Sequence, residues 1–158
     1  MKTNEILTKS EKVLKENGVL SIVPKGNSMW PFIKNKKHSV IIKSVLEELS
    51  VYDVIFYKRE SGQEVLHRII GFKDDDYIVS GDSLVQREIV KKENVFGVMQ
   101  GYYKNKKYID AKDQKYLDKV KKWYESKKRA RKIKCFNFRT KVINKIKTIF
   151  KKTGKKDV

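Results

Sequence analysis

The spacing of apolar residues changes twice along the chain. Between Asn4 and Glu16, Ile6, Leu7, Val13 and Leu14 recur at i, i+1, i+7 and i+8, which lines one face of a helix, and Asn17-Gly18 supplies a stop. The runs that follow are short and rich in β-branched and aromatic residues: VLSIVP, HSVIIKSV, YDVIFYK, EVLHRIIGF, DYIVSGD and NVFGVMQGYY. Turn-forming stretches such as ESGQ and KDDD separate them. This pattern predicts a mainly β fold, a coiled antiparallel sheet or partly open barrel, with the N-terminal helix capping it.

Near Gly101 the alternation gives way to a Lys-rich helical period without Gly or Pro until Gly154, so the chain divides into 1–101 and a helical tail, 102–158. Within the tail Tyr116, Leu117, Val120, Trp123 and Tyr124 form one amphipathic stripe, expected to pack on the sheet. SKKRARKIK at 126–134 reads as a basic connector. From Phe138 on, Val142, Ile143, Ile146, Ile149 and Phe150 recur at helical spacing, with Arg139, Lys141, Lys145, Lys147, Lys151 and Lys152 between them.

Charge sharpens this division. The net charge is +19, yet residues 1–101 hold 16 Lys and Arg against 14 Asp and Glu, and residues 102–158 hold 22 against 5. A basic amphipathic helix over 138–152 suits an anionic membrane surface, because the apolar face enters the interface while the cations meet the headgroups. Nucleic acid would attract the same charge but has less use for a continuous apolar face, and docking of that face on the body or on a partner is the remaining alternative. The single cysteine, Cys135, leaves no internal disulfide and no multi-cysteine metal site. The N-terminus lacks the apolar run of a secretory signal, and no stretch is long and apolar enough to span a bilayer. The expected location is cytoplasmic or peripheral at the inner membrane surface.

Four short boxes carry the candidate chemistry. GNSMWPF at 26–32 holds Ser28 between Gly26, which frees the backbone, and Pro31, which fixes it. YDVIFYK at 52–58, LHRIIGF at 66–72 and SGDS at 80–83 follow in that order. Together they resemble the signal peptidase and LexA-like serine peptidase superfamily. In that superfamily a G-x-S-M-x-P box holds the nucleophile, a D-V strand follows, the base precedes R-[IV]-[IV]-G, and a GD box closes the site. The likeness covers roughly residues 20–101. The base position is His67, as in the branch of endoplasmic-reticulum-type and archaeal signal peptidases, rather than the lysine of bacterial-type enzymes.

The resemblance implies a serine endopeptidase acting on peptide or leader sequences, without metal or cofactor. Ser28 would attack the peptide carbonyl, and His67, with an ordinary pKa of about 6.5, would take its proton. Asp82 matches the aspartate of the GD box. The endoplasmic-reticulum-type enzymes continue with two asparagines and a further aspartate, whereas this chain has Ser83, Leu84 and Glu88, so Glu88 is the alternative third member or else a solvated surface charge. The backbone N–H of Ser28 is the expected oxyanion donor. The family's preference for small side chains before the cleaved bond carries over as an expectation. His38 follows KNKK, matches no box and is expected to be exposed. With only 27 residues before Ser28, a DNA-binding, self-cleaving repressor is not expected. The competing function is a non-catalytic module on a peptidase-like fold that binds membrane or nucleic acid through its tail.

Overall fold

The structure, a computed structural model, describes residues 7–153, with side chains through residue 148. The chain forms two compact units that divide between Lys122 and Trp123.

The first unit opens with helix α1, Lys9–Asn17. Thr8 and Glu11 close its start reciprocally: the Thr8 side chain accepts from the Glu11 N–H, and the Glu11 carboxylate accepts from the Thr8 N–H. Gly18, at φ 70°, ends it by donating its N–H to the Leu14 carbonyl. Asn4 to Ile6 of the predicted helix lie outside the described residues. Leu14, only 2% exposed, is the side chain that buries the helix. It packs over Gly97, where a Cβ would stand 2.5 Å from the Ile42 side chain and 3.1 Å from that of Leu14.

Eight strands follow: β1 Val19–Ile22, β2 Ser39–Lys43, β3 Val54–Lys58, β4 Glu64–Lys73, β5 Asp76–Ser80, β6 Glu88–Val90, β7 Val95–Lys104 and β8 Lys107–Asp110. They form one open, antiparallel sheet in the order β1-β2-β7-β3-β4-β5-β6, with β8 also paired to β7. Six strands coincide with the predicted runs; β6 and β8 are additional. The helical tail therefore starts later than the sequence suggests. β7 continues through Gly101 to Lys104, turns at Asn105 and Lys106 (φ 49° and 65°), and returns as β8 before helix α2, Gln114–Glu125. Gly101 is a point of close approach within this hairpin rather than a break, since a Cβ there would lie 2.5 Å from the Ile109 carbonyl oxygen.

Register decides which side chains share a face. Ile55 pairs with His67, Tyr57 with Val65, Ile69 with Val79 and Val79 with Glu88. Side chains directly opposite in an antiparallel pair lie on one face, and successive residues alternate. His67 and Glu88 therefore belong to the face whose core comprises Ile55, Tyr57, Ile69, Val79 and Val98. Arg68 and the residues that meet it project from the other face. There the α2 residue Tyr116, 4% exposed, sets its ring edge-on to Phe32 at 5.8 Å and to Tyr102 at 5.9 Å.

The second unit contains the end of α2 and helix α3, Arg129–Thr153. Most of the predicted connector at 126–134 is thus helical, because nothing in RARKIK breaks a helix once the turn at Ser126–Lys128 is made. The Arg129 guanidinium lies 4.5 Å from the Tyr124 ring centre and the Lys132 ammonium 5.8 Å from that of Trp123. Farther along, Phe138, Val142, Ile143 and Ile146 are 69%, 41%, 51% and 47% exposed. The side chains of Ile149 and Phe150 lie outside the described residues. No helix among the described residues is long and apolar enough to cross a membrane.

Candidate active site

Ser28 lies in the turn between β1 and β2, and three local features hold it. Gly26 occupies a left-handed conformation (φ 99°) and donates its N–H to the Asn35 side chain at 3.1 Å. Met29 and Ile33, 4% and 1% exposed, anchor the far side of the turn in the core, and the Ile33 N–H donates to the Met29 carbonyl. The third feature is the SGDS box. The Ser83 N–H donates to the Ser28 carbonyl at 2.8 Å, and the Ser83 hydroxyl donates to the Asn27 carbonyl at 2.7 Å. Gly81 fits beneath only because it lacks a side chain, for a Cβ there would stand 2.7 Å from the Ser28 carbonyl oxygen.

His67, in mid-β4, is 4% exposed. It shares with Ser28 a cleft of about 570 Å³ whose walls include Ile22, Val23, Met29, Phe56 and Leu66. No hydrogen bond joins Ser28 to His67 among the described residues; both line the same cleft. The imidazole Nδ1 is 2.9 Å from Glu88 Oε1. A carboxylate there accepts the Nδ1 proton, which leaves Nε2 as the basic nitrogen of the neutral ring.

Glu88 is itself firmly held. Arg59 Nη2 donates to Oε1 at 2.8 Å and Arg59 Nε to Oε2 at 3.0 Å, and the Tyr57 hydroxyl donates to Oε1. Burial works to raise the Glu88 pKa, but the hydrogen bonds from Arg59 and Tyr57 outweigh it and hold the carboxylate below its ordinary value. For His67 burial dominates and lowers the pKa, against the opposing pull of Glu88. The imidazole is therefore neutral at pH 7, the state in which it accepts a proton.

Asp82 is placed elsewhere. It is fully buried and receives Arg68 Nε and Nη2 at 2.8 Å each, a two-point pair completed by Arg68 donating to the Tyr52 carbonyl and the Tyr116 hydroxyl. The Arg68 guanidinium also lies 5.5 Å from the Phe32 ring centre and 5.6 Å from that of Tyr116. The carboxylate in contact with the imidazole is thus Glu88, not the Asp82 that its box had put first. Glu88 is also not the solvated charge of the alternative reading, since its side chain is 31% exposed and fully engaged.

Compared with models of protein families, the chain matches none. Compared with curated proteins, it again has no match. The likeness to the signal peptidase superfamily is carried by the four boxes.

His38 departs from expectation: it is 3% exposed, stacks on Tyr102 at 5.2 Å, and accepts the Lys34 N–H at Nδ1. A polar flank concealed that the ring closes the loop after Pro31. Tyr57, which lies in the second box without a role assigned to it, and Arg59, just beyond that box, are further residues of the site. Their signal was the two-residue period of β3, which places Tyr57 on the face of Ile55 and hence beside the strand of His67. No group of three or more His, Cys, Asp or Glu side chains among the described residues is arranged to hold a metal ion.

Proposed function

We propose that this chain is a serine endopeptidase of the signal-peptidase type, with Ser28 as nucleophile, His67 as general base and Glu88 as the group that orients and charges-matches the imidazole. The observation that carries the reading is the state of His67: buried, neutral, tied through Nδ1 to a carboxylate, and set in the same cleft as a serine held by a constrained turn. A peptide substrate fits along β1, which ends the sheet path on one side and whose continuation, Ile22 to Lys25, lines the cleft. An added strand would take main-chain hydrogen bonds from that edge.

Ser28 Oγ then attacks the scissile carbonyl carbon as its proton passes to His67 Nε2. The Ser28 N–H, which donates to no group among the described residues, faces the developing oxyanion. Collapse expels the leaving amine, which takes the proton from His67. A water activated by the same nitrogen hydrolyses the acyl-serine and restores the site. Glu88 stabilises the imidazolium in both halves without taking its proton.

The basic helix α3 supplies a place of work. It carries ten Lys and Arg and no Asp or Glu in 25 residues, with Phe138, Val142, Ile143 and Ile146 exposed along one arc. An anionic membrane surface satisfies both, each nearby cation contributing about 1 kcal/mol.

The test is mass-spectrometric mapping of products from a peptide library with the parent chain, Ser28→Ala and His67→Ala. Cleavage at defined bonds by the parent alone is expected. Cleavage that survives in Ser28→Ala, or no cleavage by the parent, overturns the peptidase and leaves a binding module.

A further inference from the structure

We propose that a second cavity of the first unit is a binding site for a phosphate group. It measures about 900 Å³ and shares no lining residue with the cleft of Ser28 and His67. The Ser28–Ile33 turn borders both, contributing Met29 and Ile33 to the cleft and Pro31 and Phe32 to this cavity.

Its charge is unbalanced in a way the fold does not explain. Lys34, Lys104, Lys107, Lys115 and Lys119 line it, and none of them forms an ion pair among the described residues. Two pairs oppose like with like. Lys104 and Lys107 face each other across the β7–β8 hairpin, and Lys115 and Lys119 stand one turn apart on α2. Each juxtaposition is destabilising in the bare protein. Two carboxylates share the lining, Asp110 and Asp113, each holding a backbone N–H through one oxygen, so five cations stand against two anions.

An uncharged donor completes the site. Tyr102 is 4% exposed and lines the cavity, and its hydroxyl has no hydrogen-bond partner among the described residues. Phe32 and Tyr108 add aromatic surface at the wall. The field of Lys104 and Lys34 is felt by buried His38, whose pKa falls through burial first and these cations second. Five lysines and a hydroxyl donor lining one cavity suit a multiply charged oxyanion, and the volume admits more than the phosphate alone.

Inorganic pyrophosphate and ATP, titrated calorimetrically into the full chain, serve as soluble probes, and vesicles containing phosphatidylglycerol present the same group as a lipid headgroup. Lys115→Gln with Lys119→Gln should weaken binding at least tenfold, and Tyr102→Phe several-fold. Lys12→Gln with Lys15→Gln, which removes equal charge from α1, should change it less than twofold. A soluble phosphate that binds assigns the site to small molecules. Vesicle binding that needs Lys115 and Lys119, without pyrophosphate or ATP binding, assigns it to a headgroup. Equal losses in the α1 control and the site variants, or no binding of any probe, overturn the proposal. Ser28→Ala should bind as the parent does, so this result is independent of whether the chain cleaves peptides.

Discussion

Replacing Asp82 with asparagine asks whether that carboxylate serves the fold or the chemistry. The substitution keeps the shape and removes a carboxylate that takes two hydrogen bonds from a fully buried guanidinium. Arg68 would retain the Tyr52 carbonyl, the Tyr116 hydroxyl and two aromatic faces, which carry no formal charge. Breaking a buried ion pair by removing one partner costs about 3–5 kcal/mol. For a unit of this size that corresponds to a fall in melting temperature on the order of 10–20 °C. Urea and thermal unfolding measure the loss, and peptide cleavage measured well below the lowered transition measures what the folded remainder can do. The expected result is a large loss of stability with cleavage per folded molecule within a few-fold of the parent. A stability change under about 1 kcal/mol, together with cleavage reduced a thousandfold, would refute the structural role and return Asp82 to the imidazole.

Further outcomes follow from the same geometry. Glu88→Gln should lower kcat by a factor on the order of 10³–10⁴ with little change in KM, as in serine peptidases whose orienting carboxylate becomes an amide, and a kcat within tenfold of the parent would sink its orienting role. In a pH series, kcat/KM should hold below the ordinary imidazole value of 6.5 and fall only as pH drops through the lowered pKa of His67. Stability should decline as pH falls below about 6.5, where the unfolded chain takes up the imidazole proton, and level off below the lowered pKa of the folded state, and an acid limb of kcat/KM at or above 6.5 would contradict the burial argument. Gly81→Ala should reduce kcat in a folded protein by displacing the Ser28 carbonyl, and a crystal structure of that variant with an unmoved Ser28 would refute the clamp. Removing residues 135–158 should abolish sedimentation with anionic vesicles, binding that weakens with salt in the parent, while leaving cleavage of a soluble peptide intact. Unchanged sedimentation would rule out α3 as the anchor.

The sheet was legible where a strand is long enough to declare its period. β3, β4 and β7 carry runs of Val, Ile, Phe and Tyr and are buried on both faces over much of their length. β6 and β8 have three and four residues and charged neighbours, so their pairing is imposed by the strands beside them rather than by their own composition. That is also why Glu88 was hard to place: its position depends on the pairing of β6 with β5, a long-range event with no local mark. Ser28 and His67 were legible as types in order, and their common cleft required the fold. The boxes left Asp82 and Glu88 both open, because a box gives sequence adjacency to a serine loop but not the side chain that a carboxylate meets, which for Asp82 is Arg68. His38 was missed for the opposite reason, since a lysine-rich flank says little about a ring that folds back against Tyr102.

His67 and Arg68 are neighbours that point to opposite faces, each with its own carboxylate. Their hydrogen-bonded carboxylates are different residues, Glu88 and Asp82, so the two pairs can be replaced separately. If the proposed peptidase reading holds, a duplicated copy released from catalysis would face weaker pressure to retain Ser28, His67 and Glu88, yet would keep Arg68, Asp82 and Tyr116 for as long as it folded at all. Drift would erase the first set and spare the second. Among relatives of this chain, retired copies would then be recognisable from their sequences, by an intact arginine cluster beside a decayed imidazole site.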